Sequence, residues 1–197
     1  MNPALLDPYV LSVLRENGWS ASRRFPFAAF WARVMEADGL PCPDAAGDIL
    51  RSLGGLRIWE QSPSAGLYFL ERCQGEWDRL DAVYRKPLLR LRALGLEDQP
   101  RRYTGASFAF DALDAFRDQE IVLPFADAER AAGEALFPIG TVEPDGISCA
   151  AASGRIYTLF DDSVFLSGSS IEDYLNACFL KERTPTLLLQ TPDRGPQ

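Results

Sequence analysis

The sequence predicts an α+β fold in a single domain, a twisted and mostly antiparallel sheet flanked by helices. Three observations carry this: helix-spaced apolar runs in the first 55 residues, short β-prone runs crowded into the last third, and an amphipathic helix behind them. Of the 197 residues 47% are apolar, enough for one sizeable core. A charged fraction of 24% with 11% aromatics is that of an ordered globular chain.

The first helix starts at Asp7, an N-cap residue with Pro8 at the first helical position, and stops at Gly18 ahead of Trp19. Tyr9, Val13 and Leu14 have helical spacing, with Leu5 and Leu6 ahead of them. "FPFAAFWARVMEADG" predicts a second helix with Phe27, Phe30, Trp31 and Val34 on its inner side and Gly39 closing it. "CPDAAGDILRSLGG" predicts a third, facing inward through Ile49, Leu50 and Leu53; Gly54-Gly55 ends it, with Gly54 expected in the left-handed conformation.

"LRIWE" alternates as a strand should, and "GLYFLE" is its expected hairpin partner across "QSPSAG". "EWDRLDAVYRKPLLRLRALG" spaces Trp77, Leu80, Tyr84, Leu88, Leu91 and Leu94 as an amphipathic helix, kinked or split by Pro87. Its basic residues suit a solvated face better than a docking surface. "YTGASFAFD" reads as extended and "FADAERAAGEALF" as helical.

Four strands follow, "LFPIGTV", "GISCAAA", "GRIYTLF" and "SVFLSG", separated by "EPDG", "SG" and "DD". Such spacing predicts neighbours joined by tight turns. "SSIEDYLNACFLKE" predicts the final helix, with a serine N-cap, Glu172 and Asp173 early and Lys181 late. The domain is expected over 1–183; 184–197 reads as a C-terminal tail in which Leu187 to Leu189 could dock.

Charge is unevenly placed. The net charge is −8, yet residues 1–110 hold 13 acidic and 14 basic side chains while residues 111–182 hold 14 and 4. The acidic half disfavours nucleic acid or an anionic membrane and favours a basic protein surface, solubility being the plainer alternative. No apolar run has the length of a bilayer span, and Asp7 and Pro8 interrupt the opening where a signal peptide needs its apolar stretch. A cytoplasmic protein with reduced thiols is expected.

Catalytic chemistry finds few footholds. Histidine is absent, which removes Ser-His-Asp and Cys-His catalysis and the commonest general base. Cys42, Cys73, Cys149 and Cys178 form no C-x-x-C metal motif, and no phosphate loop or dinucleotide fingerprint occurs, so no metal and no cofactor are expected. "SGSS" resembles an anion-binding turn but is better explained as a helix cap. Asp161-Asp162 could be a carboxylate pair; adjacent residues on a strand point to opposite faces, so an exposed polar turn is the simpler account.

These segments fall in a recognisable order. "ENGWSASRR", "LRSLGGLRI", "FAFD", "LFPIGTV", "GRIYTLF" and "SGSSIEDYL" resemble the SUKH superfamily of bacterial immunity proteins, particularly its third subgroup. The matching residues are Gly18, Trp19 and Arg23; Leu53, Gly54, Gly55 and Leu56; Phe137, Pro138, Ile139 and Gly140; Gly154, Arg155 and Tyr157; and Gly168. Residues 61–102 depart from the pattern as an apparent insertion.

The resemblance implies a protein that binds and neutralises a cognate polymorphic toxin, a nuclease or nucleic-acid deaminase, by occluding it without catalysis. It assigns the matching residues to the scaffold. A basic toxin surface would meet the acidic half, with Asp161 and Asp162 as leading contacts and Glu143 and Asp145 in "VEPDG" as second choices. The alternatives are a housekeeping protein-interaction module on the same scaffold and, less favoured, a carboxylate-based hydrolase.

Overall fold

The computed structural model describes residues 1–59, 70–80, 82–95, 107–117, 124–142, 145–180 and 183–191. Helix α1 (Pro8–Glu16) is set by its ends. The Asp7 carboxylate accepts the Tyr9 N–H at 2.8 Å, and Gly18, at φ +89°, turns the chain so that the Trp19 N–H reaches the Leu14 carbonyl at 3.0 Å. Tyr9, Val10, Val13 and Leu14 form its wholly buried face.

α2 (Ala28–Ala37) buries Ala28, Trp31 and Met35. The predicted inner face is therefore rotated: Phe27 and Phe30 stay 57% and 56% exposed, because Trp31 and Met35, four apart, take the seam against the core. α3 (Asp44–Leu53) buries Ala46, Ile49, Leu50 and Leu53, extending the predicted face by one small residue.

The sheet holds seven strands among the described residues: β1 (Arg57–Trp59), β2 (Ser107–Ala109), β3 (Leu136–Val142), β4 (Gly146–Ala151), β5 (Ile156–Leu159), β6 (Ser163–Gly168) and β7 (Thr186–Gln190). They lie side by side in chain order, every neighbouring pair antiparallel. β1 pairs with β2, Ile58 opposite Phe108. Pairing there puts Phe108 into the main core; of the expected partner, Leu70 and Glu71 are helical and 66–69 lie outside the described residues. Thr186–Gln190, in the stretch read as a tail, is the strand beside β6.

α4 (Ala82–Ala93) runs through Pro87, and the break in the amphipathic segment falls earlier, after a 3-10 turn at Trp77–Arg79. α5 (Ala112–Arg117) packs on β3, α6 (Phe125–Ala132) follows, and α7 (Ile171–Leu180) lies over β6. One face of the sheet, through Ile58, Phe108, Phe137, Ile139, Ala150 and Ile156, packs under α1, α2, α3 and α7. The other, through Leu136, Ile147, Cys149, Tyr157, Leu159 and Val164, packs under α6. β4 is accordingly buried at every residue, as a strand covered on both faces must be.

The buried polar groups on the first face pair with one another. Tyr174 Oη and Ser148 Oγ are 2.6 Å apart, and Thr158 Oγ1 and Ser167 Oγ 2.8 Å.

Candidate functional site

In an antiparallel meander, alternate turns share one end of the sheet. The β3–β4 and β5–β6 turns do so here, and Gly146 brings them together. A Cβ at Gly146 would come within 2.8 Å of Phe160 Cε1 and 2.9 Å of Val142 Cγ1, so the Phe160 ring rests directly on the backbone of the neighbouring hairpin. Phe160 also meets Phe165 edge-on, with ring centroids 5.9 Å apart.

Asp161 and Asp162 form the connection itself, closed by the Phe160 N–H donating to the Ser163 carbonyl at 2.9 Å. Asp161 is exposed and Asp162 half-buried. The Asp162 carbonyl accepts from the Thr191 N–H at 2.8 Å, which fastens the end of β7 to the same turn. Asp145, exposed at φ +52°, lies in the β3–β4 turn. The structure thus gathers three of the four sequence-predicted carboxylates at one end of the sheet; Glu143 lies outside the described residues.

Other acids of this half are committed to the fold. Glu129 accepts the Leu136 N–H at 3.0 Å, Glu134 accepts from Tyr157 Oη at 2.7 Å and Ser153 Oγ at 2.9 Å, and Glu172 holds the Asn2 N–H. Asp173 takes the Ser169 N–H and hydroxyl, each at 2.7 Å, and Arg183 Nη2 at 3.0 Å, while its own N–H donates to Ser170 Oγ. "SGSS" is therefore the capping turn, its amide already filled by a carboxylate of the chain. Burial pushes the Asp173 carboxyl up, but the Ser169 bonds and Arg183 outweigh it and hold it below the usual range. The carboxylates of Asp145, Asp161 and Asp162 make no hydrogen bond or ion pair with a described residue. Among the described residues their charge is met by no opposite charge.

Catalytic groupings are scarce among the described residues. No cluster of three or more His, Cys, Asp or Glu side chains is arranged to hold a metal ion. Burial pushes the Cys42 thiol up to about 11 and Cys178 to about 12, and raises Cys149 as well, the reverse of thiol activation. A cavity of about 440 Å³ opens among β1, β2, β3 and α5, lined by Arg57, Ser107, Asp114 and Thr141 among others. Among the described residues one carboxylate, Asp114, lines it, where a carboxylate hydrolase needs two facing each other.

The motif residues build one knot and three close approaches. Arg23 donates from Nη1 to the Ser52 carbonyl at 3.1 Å and from Nη2 to the Gly54 carbonyl at 2.8 Å. Trp19 Nε1 reaches Ser52 Oγ at 3.1 Å, and the Phe25 N–H takes the Arg51 carbonyl at 2.8 Å. Together they satisfy the carbonyls that end α3.

Gly54 itself has φ −47°, and the left-handed residue is Gly55 at φ +72°. The expectation for Gly54 is corrected by one position. Its need for glycine is space instead: a Cβ would lie 2.6 Å from Phe25 Cδ1 and 2.5 Å from the Leu50 carbonyl. Gly55 then donates to the Phe110 carbonyl at 2.7 Å, and Phe110 returns a bond to the Leu56 carbonyl at 2.9 Å, leading into β1.

Gly140, two beyond Pro138 across an irregularity in β3, lets the backbone of Ala109 and Phe110 approach; a Cβ would be 2.9 Å from Phe110 Cα. Gly168 lies under Tyr174, whose backbone N would be 2.7 Å from an added Cβ. Gly154, at φ +83°, turns β4 into β5 and leads to Tyr157 on Glu134.

The insertion is not a free basic face. Arg90 has a side chain only 6% exposed and holds Glu16 with Nε at 3.2 Å and Nη2 at 2.6 Å, over the Tyr9 ring. Arg85 Nη2 donates to the carbonyls of Trp77 and Leu80 at 3.2 and 2.9 Å. Helical periodicity put these arginines on a polar face, but periodicity does not report that α1 supplies a partner. What it missed on the other side is the exposure of Phe27 and Phe30.

A family model described as SUKH-3 immunity protein matches residues 6–180. No curated protein and no solved structure matches the chain. The matched span takes in α1, the Arg23 knot, the β3 to β6 meander and α7, and ends before β7. The chain belongs to the SUKH-3 immunity protein family.

Proposed function

We propose that this protein protects the cytoplasm in which it resides by binding a cognate protein toxin and covering its working surface, with no catalytic step and no cofactor. Membership of the immunity family is the observation that carries this reading. The toxin class that fits the charge is an enzyme of nucleic acid, a nuclease or a deaminase, since such enzymes grip phosphates with basic clefts. Asp161, Asp162 and Asp145, with Glu143 beside Asp145 in sequence, are the contacts, because the three aspartates sit on neighbouring turns and no described residue pairs with their charge. Phe160 and Phe165 give the turns a rigid base, so little side-chain and loop freedom is lost on docking.

Co-expression with the toxin encoded beside the gene tests the reading. Cells making both proteins are expected to grow, and the two should co-purify in one-to-one complex. Cell death despite soluble protein, or rescue without any complex, would overturn it.

A further inference from the structure

β7 lies beyond the span that the family model matches, which ends at residue 180. It is tied at both ends. On entry, Arg183 Nη2 donates to the Ser167 carbonyl at 3.3 Å and pairs with Asp173 at 3.0 Å. On exit, Thr191 aims two donors at one oxygen: its N–H meets the Asp162 carbonyl at 2.8 Å, and its Oγ1 meets the same atom at 3.3 Å.

Register makes this exit contact possible. The β6 residues Ser163 to Leu166 stand opposite Thr186 to Gln190, so β7 carries one residue more, and Leu188 is the bulged one. Without the bulge Gln190 would stand opposite Asp162; with it Gln190 faces Ser163, and Thr191 comes level with Asp162. The strand also reaches the aromatic base of the turns, since Leu187 is opposite Phe165 and Phe165 meets Phe160.

We infer that β7 is a brace for the Asp161-Asp162 turn, with Thr191 as the positioning residue that aims its carboxylates at the toxin. The inference rests on the immunity reading and on its choice of these acids as contacts. Two donors on the Asp162 carbonyl hold the planar peptide between Asp162 and Ser163, and the direction of the adjoining side chains follows from it. A turn fixed before contact loses less freedom on docking, which lengthens the life of the complex. The brace adds no charge, so the approach rate set by long-range attraction does not depend on it. A strand that merely covered the edge of β6 would have no such tie to the two acids.

The test is a double-mutant cycle on the full chain, read as binding kinetics against the proposed cognate toxin carried as a catalytically dead protein. Thr191→Pro removes both donors. It should dissociate about 10-fold faster with its association rate and salt dependence kept, while Thr191→Ser behaves as wild type. On an Asp161→Asn/Asp162→Asn background the same change should cost less than about 2-fold. In the free chain, amide exchange at Phe160, whose N–H closes the turn, should quicken at least ~10-fold in Thr191→Pro while β3 to β5 keep their protection. Should Thr191→Pro not fold, Thr191→Val, which lacks only the hydroxyl bond, carries the cycle with a loss of about 3-fold. Equal losses on both backgrounds, unchanged dissociation, or unchanged exchange at Phe160 would overturn the brace and leave the immunity reading standing. Wild-type binding by Asp161→Asn/Asp162→Asn would overturn the choice of contacts and the brace with it. A wild-type chain that ignores the toxin overturns the reading as well.

Discussion

The Arg23 guanidinium and the Gly54 carbonyl, 2.8 Å apart, join the loop after α1 to the end of α3. The same side chain holds Ser52 O, so two carbonyls that helix geometry leaves without partners depend on it. Arg23→Met keeps much of the apolar stem and deletes both bonds. It should lower stability by about 2 kcal/mol in urea unfolding, with Arg23→Lys intermediate, because a lysine ammonium cannot span both oxygens.

Two glycines separate close approach from backbone conformation. Gly154→Ala has open space and only the positive φ to contend with, so it should cost about 1 kcal/mol. Gly140→Ala drives a methyl into the backbone of Ala109 and Phe110 and should cost about 3 kcal/mol or displace β2. Melting temperatures of the pair check the order; equal losses would show that β2 yields freely.

Asp173 gives the fold an acid-sensitive cap. Its folded pKa is lowered, so its stabilising contribution is full above the unfolded value, near 3.8, and is lost as pH falls through the lower folded value. Unfolding of wild type and Asp173→Asn should therefore differ most at neutral pH and converge below about pH 4. A difference that stays constant into acid would place the cap elsewhere.

Reversing charge at the turns tests how the acidic half is used. Asp161→Lys/Asp162→Lys should slow toxin association and flatten its salt dependence, since exposed charges are screened over roughly 8 Å at physiological ionic strength. At the same time the melting temperature should hold, because neither carboxylate has a partner among the described residues. Arg90→Glu is the contrasting case. It leaves a carboxylate buried against Glu16 and should unfold the domain before it reports on binding.

Much of this was legible where local chemistry decides the outcome. Asp7-Pro8, Gly18 and the meander turns are set by a few neighbouring residues, and the structure has them where the sequence placed them. Asp161-Asp162 as an exposed turn belongs to the same class. Partners far apart in sequence were not legible. Nothing local says that β1 skips to Ser107–Ala109, that Arg90 meets Glu16, or that Phe25 leaves no room at Gly54. The α2 face was misjudged for a related reason: four aromatics and aliphatics crowd one stretch, and only packing against α3 and α5 chooses which of them go inside. β7 carries exposed leucines with no polar alternation, so its strand character comes from the free edge of β6 rather than from its own pattern.

Titrating the enzymatic activity of the proposed cognate toxin with purified protein addresses the central claim most directly. If this chain is an immunity protein that works by occlusion, activity should fall linearly and vanish at one equivalent, and the inhibited mixture should return intact toxin when the complex is unfolded. Undiminished activity in large molar excess of folded protein, or toxin that emerges chemically altered, would contradict the account.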